Sequence, residues 1–336
     1  MGAVGLREVA ARANVSAGTV SNFLNHPGRV APDTAARIRS AINDLGYVGN
    51  SAARTLRVGE SRTIGHIAFE VGNPFFHDFA RGVEERAAEA GYSVLIANSA
   101  ASAEREASYL DLFESQRARG ILLSPVGEVD SRVENLIRRG IPTVLIDRVA
   151  DTSLCSSISV DDVAGGRMAV EHLLEQGRRR ILFVGGPLAI DTVSDRLVGA
   201  TSAIERVGDA ALEVVEVGSR TIATGREIGR LIRERPAENR PDAIFAVNDL
   251  LAVGILHGVL EDPAIRIPED IALVGYDDID FAADAVVPLT SVRRHGELFG
   301  RTALDLLQRE IARGDDVRHE RVVFQPELVA RRSTVG

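Results

Sequence analysis

The chain is 336 residues long, 45% hydrophobic and 26% charged, with a net charge of −9 and a single cysteine, Cys155. That length exceeds one typical domain and predicts two or three. The lone cysteine excludes an internal disulfide framework, and no apolar run approaches the roughly 20 residues of a membrane helix. The opening MGAVGLREVA is charged too early and apolar too briefly for a signal peptide, so a cytoplasmic protein with no membrane partner is expected.

Charge is unevenly spread. Residues 1–60 hold seven arginines against four acids, a charge of +3 that leaves −12 for the remainder. A basic head on an acidic body is the asymmetry expected when only the head approaches phosphate. Within the head, Leu6, Val9, Ala10 and Ala13 recur at helical spacing, Asn14-Val15-Ser16 interrupts them, and Val20, Phe23 and Leu24 resume the period. Asn14 tolerates the left-handed backbone of a tight turn, and Ser16 suits an N-cap. Pro32-Asp33-Thr34 opens a third helix that Gly46 ends. Three helices around Val9, Val20, Leu24, Ile38 and Leu45 make a minimal core, the pattern of a helix-turn-helix. Its second helix would enter the major groove of DNA, with Ala17, Gly18, Thr19, Ser21 and Asn22 exposed towards the bases and Ser16 at its start.

The runs LREVAARANVSAGTVSNFLN at 6–25 and RVAPDTAARIRSAINDLGYVGNSAARTLR at 29–57 resemble the head of the LacI/GalR repressor family. The resemblance implies operator DNA as partner, with Arg29 at the interface. It also implies a hinge helix near 50–57 that forms on the operator in pairs and levers Leu56 into the minor groove. From the residues themselves, Asn50-Ser51 can cap a helix whose Ala52, Ala53 and Leu56 form one small apolar face, with Arg54 beside it for phosphate. The same stretch also reads as a flexible linker, since so short a helix is marginal alone. The chain departs from the family at Ala17, Gly18 and Asn22, where many members carry larger side chains. Asn22 suits adenine, so an unusual operator is expected.

From residue 62 short apolar runs alternate with helical lengths. Strands are predicted at 63–69, 92–97, 121–123, 143–146, 181–184, 243–247 and 271–274, with helices at 75–90 and 104–117 between the first of them. About nine strands are expected in all. Near-continuous apolar strands separated by helices mean doubly wound parallel α/β sheets, and a boundary near Val160-Asp161 divides them into two lobes with a cleft between. Ligands in such folds sit beyond the carboxyl ends of the strands, where Asn73-Pro74-Phe75-Phe76, Asp147-Arg148, Asp161-Asp162, Asn248-Asp249 and Tyr276-Asp277-Asp278 fall. Several of these pairs could equally do no more than cap the helices that follow.

NPFF at 73, VLIDR at 144, the run from Val160 to Pro187, AIFAVNDLLAVGIL at 243 and IPEDIALVGYDDI at 267 extend the family resemblance across the body. It implies a fold like that of periplasmic sugar-binding proteins, with three crossings near 161, 291 and 323. The domains are then 1–48, a hinge at 49–61 and a body at 62–336. The body divides into lobes of about 62–161 plus 292–322 and 162–291 plus 323–336. Phe75 and Phe76 would flank a small-molecule effector, Arg196 and Asp277 would hold its polar groups, and Asn73, Asp147, Arg148 and Asn248 would complete the ring. No aromatic stands at Ile222–Thr224, and Ile190 replaces the arginine of purine-binding members, which disfavours a purine and leaves a small polar sugar or sugar phosphate.

No catalytic motif, cofactor fingerprint or metal-ligand spacing appears, although Asp277, Asp278 and Asp280 could in principle hold a metal. The expected protein is a non-enzymatic, homodimeric, DNA-binding regulator without cofactor, read as a repressor. A solute-binding protein that shares the two-lobed body is the alternative.

Overall fold

A computed structural model of the chain describes residues 4–47, 61–129, 131–149, 152–313 and 318–335. The chain falls into two compact units, Met1–Glu60 and Ser61–Gly336. The proposed hinge residues Asn50, Ala53, Arg54 and Leu56 lie outside the described residues.

The first unit is three helices, α1 (Leu6–Ala13), α2 (Ala17–Asn25) and α3 (Pro32–Leu45). Asn14 ends α1 in the left-handed region at φ 53°, and the Ser16 hydroxyl caps α2 by accepting the Thr19 amide at 3.0 Å. Val9, Ala10, Ala13, Val20, Phe23, Ala35, Ile38 and Ala41 close the core. Leu24, expected inside, is 36% exposed. Phe23, three residues after Val20 rather than four, takes the inward place on the face that meets α1 and α3.

The second unit holds twelve described strands in two six-stranded sheets. The first lobe is built from β1 (Thr63–Ala68), α4 (Pro74–Glu89), β2 (Ser93–Asn98), α5 (Ala103–Ser115), β3 (Gly120–Leu123), α6 (Ser131–Arg138), β4 (Thr143–Ile146) and β5 (Ser156–Val160). The second lobe follows with α7 (Asp162–Glu175), β6 (Arg180–Gly185), α8 (Asp191–Val207), β7 (Ala211–Glu216), α9 (Ile222–Arg233), β8 (Ala243–Ala246), α10 (Asp249–Leu260), β9 (Ala272–Asp277), α11 (Asp280–Ala283) and β10 (Thr290–Arg293). Helix α12 (Gly296–Arg313) and β11 (Arg321–Phe324) return to the first lobe, and β12 (Glu327–Val329) ends in the second.

The strand orders are β11-β5-β4-β3-β1-β2 and β12-β10-β9-β8-β6-β7, parallel throughout except for β12 against β10. The crossings therefore fall at Asp161, between Arg293 and Gly296, and between Phe324 and Glu327. The second and third come later than 291 and 323 because β10 keeps its register to Arg293↔Asp277 and β11 keeps its own to Phe324↔Val160.

Twelve strands exceed the nine expected because several lack an apolar run. β5 reads Ser-Ser-Ile-Ser-Val, yet it is fully buried, and its polar groups are answered locally: the Ser156 amide donates to Glu310 at 2.9 Å, and the Ser156 hydroxyl accepts the Glu320 amide at 2.9 Å. β7 is an edge strand made only of exposed and half-buried residues. Among the described residues, no helix is long and apolar enough to cross a membrane.

Candidate functional site

In the head, Ser16 at the cap of α2, Gly18, Thr19 and Asn22 on it and Arg29, Val30, Ala31 and Thr34 beyond it line a concavity of about 450 Å³. Ala17, Gly18, Asn22 and Arg29 are exposed, and Thr19 and Ser21 are half-buried. Ser16 is less free than its exposure suggests. Besides capping α2, its hydroxyl shares a 2.8 Å bond with that of Thr19, so it shapes the helix start and offers little to a base. Arg12 is likewise engaged, by Asp44 at 2.7 Å.

In the body, the loops at the carboxyl ends of the strands of both sheets meet around a cavity of about 800 Å³. Asn73, at the start of α4, accepts the Phe75 amide at 3.0 Å and donates across the cleft to Asp277 at 2.6 Å. Phe76, one residue further round the helix, faces the cavity. Phe75 does not: it is 2% exposed and packs against Phe76 and Phe299 in the first-lobe core, with the Arg294 guanidinium 3.9 Å above its ring. Its role is therefore to support a cleft arginine, because adjacent positions on a helix point about 100° apart and only one of the two can face the ligand.

Asp147 and Arg148 follow β4. Asp147 is left-handed at φ 55° and pairs with Arg294; Arg148 pairs with Asp191 of the second lobe. Arg196, on α8, is 4% exposed; it reaches Asp162 at 2.8 Å and the Val247 carbonyl at 2.5 Å and lies 3.6 Å over the Tyr276 ring. Gly166 lets α7 and α8 approach closely enough for this, since a Cβ there would meet the Arg196 carbonyl oxygen at 2.0 Å. Asn248 caps α10 by accepting the Leu251 amide at 2.9 Å, and it donates to the Arg220 carbonyl at 3.2 Å. Asp277 sits at φ 99°, a conformation rare for a residue with a side chain and most often retained at functional sites. Burial pushes its carboxyl up, against the opposing pull of Arg196 and Arg294. Burial also pulls Arg294 down, but Asp147, Asp162 and Asp277 more than offset this and hold it firmly charged.

The structure therefore brings together seven of the eight expected effector residues, and adds Glu70, Ser124, Asp191, Arg220 and Arg294 to the same wall. Two buried polar atoms on that wall, Ser124 Oγ and Arg294 Nε, have no hydrogen-bond partner among the described residues. Arg220 and Arg294 follow β7 and β10, strands the apolar pattern does not flag, so searching after each apolar run passes over them. Ile190 lines the cavity, and the segment from Ile222 brings no aromatic to it. Among the described residues, the wall carries four arginines, at 148, 196, 220 and 294, and four acids, at 70, 147, 191 and 277. Among the described residues, no group of three or more His, Cys, Asp and Glu is placed to hold a metal.

Residues 5–50 match the family described as bacterial regulatory proteins, lacI family, and residues 170–334 match a periplasmic binding protein-like domain. The chain is 30% identical over 337 residues to the HTH-type transcriptional repressor PurR of Photobacterium profundum, covering 98% of each. It is 30% identical over 335 residues to the ribose operon repressor of Escherichia coli (strain K12), covering 98% of this chain and 99% of that one. Among solved structures it resembles the transcriptional regulator CelR–cellobiose complex at 31% identity and a TM-score of 0.70, covering 98% of this chain and 99% of that one.

Proposed function

Since the chain belongs to the lacI family of bacterial regulatory proteins, we propose that its operator affinity is set by a neutral, polyhydroxylated molecule of about monosaccharide size held in the interlobe cavity. It is a DNA-binding transcriptional regulator; the proposal concerns what it senses and how. The observation that carries it is the pairing of charge at the cavity wall: Arg148, Arg220 and Arg294 pair with the wall carboxylates Asp191, Glu70 and Asp147, and Arg196 with the buried Asp162 behind the wall. Such a pair offers a donor beside an acceptor, which is what a hydroxyl needs, and leaves no bare cation to neutralise a phosphate or carboxylate.

A thermal-shift screen with neutral monosaccharides, their phosphates and purines tests this. At 100 times Kd a ligand that binds only the folded state adds about 2.7 kcal/mol of stability, a clear rise in Tm. The neutral sugars are expected to give that rise; a response confined to phosphates or purines would refute the reading.

Coupling follows if the ligand binds one lobe arrangement better than the other. A ligand that favours the DNA-competent arrangement tightens binding, and one that favours the other releases it. A homodimer would present two heads to paired half-sites, and an apolar face suited to a second copy lies at the edge strand β2, where Leu95 and Ile96 are 49% and 51% exposed, with Leu112 of α5 at 46%.

At the DNA, Asn22 brings a side-chain amide to the α2 concavity, and a good amide–adenine pair is worth about 1–3 kcal/mol of discrimination. Asn22→Ala is expected to flatten base preference at one position per half-site in a selection from random duplexes. The same motif from both proteins would remove Asn22 from base reading.

A further inference from the structure

The two lobes are joined differently at the back and at the mouth of the cleft. Near the crossings the contact is apolar: Ile279 and Leu250 of the second lobe pack into the first-lobe core. At the mouth the contact is ionic and reciprocal. The first lobe sends Glu70 to Arg220, 3.1 Å away, and the second lobe sends Asp191 to Arg148.

Each arginine is fixed on its own lobe by a backbone carbonyl. Arg220 donates to the Gly186 oxygen at 3.0 Å, and Arg148 donates to the Gly127 oxygen at 2.5 Å. The guanidiniums are sheltered, at 15% and 16% exposed, while the carboxylates that meet them are 39% and 50% exposed. A fork anchored on one lobe thus grips a carboxylate at the solvent edge of the other, once in each direction. Separating the lobes about the apolar back would break both grips.

We propose that Glu70–Arg220 and Arg148–Asp191 form a latch across the mouth of the cleft that holds the lobes shut and limits the ligand to what the shut cavity encloses. The length limit rests on the reading of the cavity as the effector site; the latch does not. The latch has a signature that a purely structural contact lacks. Exposed carboxylates are screened as the Debye length falls from about 10 Å at 0.1 M salt to about 3 Å at 1 M, so lobe opening rises with salt. A neutral ligand that binds the shut form then loses affinity with salt although it carries no charge itself.

The test uses the full chain with spin labels on Glu104→Cys and Ala223→Cys, both exposed at the starts of α5 and α9, one on each lobe; Cys155 is fully buried. Distances are measured by pulsed electron spin resonance at low and high sodium chloride, without ligand. The isosteric changes Glu70→Gln and Asp191→Asn are each expected to raise the ratio of long to short distances by up to about fivefold and to flatten its salt dependence. Distances that ignore salt and both substitutions overturn the latch.

A second arm compares thermal shifts with D-ribose, D-glucose, cellobiose and cellotriose for the wild type and the Glu70→Gln/Asp191→Asn variant. The variant is expected to gain response to the longer saccharides. Equal length preference in both proteins overturns the length limit. No shift with any saccharide in either protein counts against the proposed effector class and leaves the distance result standing.

Discussion

Arg196→Ala combined with Asp162→Asn is expected to give a folded protein that binds operator normally and no longer responds to effector. The pair of substitutions is needed because Arg196 and Asp162 form a buried ion pair 2.8 Å long, with side chains 5% and 3% exposed. Arg196→Ala alone would strand the Asp162 charge in the interior, at a cost of about 3–5 kcal/mol, and would free the Val247 carbonyl as well. A loss of response in that single variant could reflect unfolding of the second lobe. Neutralising Asp162 removes the stranded charge and keeps its shape. Effector coupling of the usual 1–3 kcal/mol corresponds to roughly 5–150-fold in operator affinity, and the double variant should lose nearly all of it. Operator titrations with and without saturating ligand measure this directly; a double variant that keeps the wild-type response would place the effector elsewhere.

Acidification from pH 6.5 to 4 is expected to cost about 3 kcal/mol of stability through one residue, His66. It lies in the middle of β1, 1% exposed, with its ring 5.0 Å from that of Phe79 and no hydrogen-bond partner for either nitrogen among the described residues. Burial lowers its pKa from 6.5 to about 4. In the unfolded chain the imidazole takes a proton near pH 6.5, while the folded chain resists doing so until about 4. Its contribution is therefore fully present above 6.5 and is lost as the pH falls through that interval, at about 1.4 kcal/mol per pH unit. Carboxylates also titrate towards the acid end, so the measurement is a difference: denaturant unfolding of the wild type and of His66→Leu at about pH 7, 5.5 and 4.5, a series that covers most of the interval between the two pKa values. The gap between the two should narrow or reverse in favour of the variant as the pH drops. Parallel curves would mean that His66 is charged or partnered in the folded state.

The head and the body were legible for different reasons. The three helices of the head follow from apolar spacing, with Asn14 and Gly46 both left-handed where the sequence places the breaks. The lobes follow from apolar runs such as Ile121–Leu123 and Ile181–Val184, which are buried in β3 and β6. Strand-end residues after such runs, Asp147 after β4, Asn248 after β8 and Asp277 closing β9, were readable because a strong run precedes each. Arg220 and Arg294 were not. β7 is an edge strand whose solvent-facing glutamates break its apolar pattern, and β10 is a four-residue Thr-Ser-Val-Arg segment whose hydroxyls are satisfied in the interior, Thr290 by Thr334 at 2.6 Å and Ser291 by Asp249 at 2.7 Å. A strand held by buried hydroxyl networks leaves no hydropathy signal, and the functional residue after it goes unmarked.

Side-chain roles within a motif were harder to read than the motif itself. Phe75 and Phe76 are indistinguishable in composition, and the helix phase that sends one to the core and the other to the cleft is set by the Asn73 cap. Ser16 reads as both cap and DNA contact, and its two short-range bonds show the first of these roles. The charge pairing that favours a neutral ligand is also invisible in the chain order, since Glu70 and Arg220, or Asp147 and Arg294, are about 150 residues apart.

On the proposed reading, one chain reads DNA with its head and a neutral sugar with its cleft, and the two are coupled. The measurement that bears on this most directly is a fluorescence-anisotropy titration of the full chain onto a duplex recovered by selection, with and without the neutral saccharide that gives the largest thermal shift. The operator Kd should change by about fivefold or more with that saccharide and stay unchanged with its phosphate at the same concentration. An operator Kd that does not move while the saccharide demonstrably binds would contradict the account.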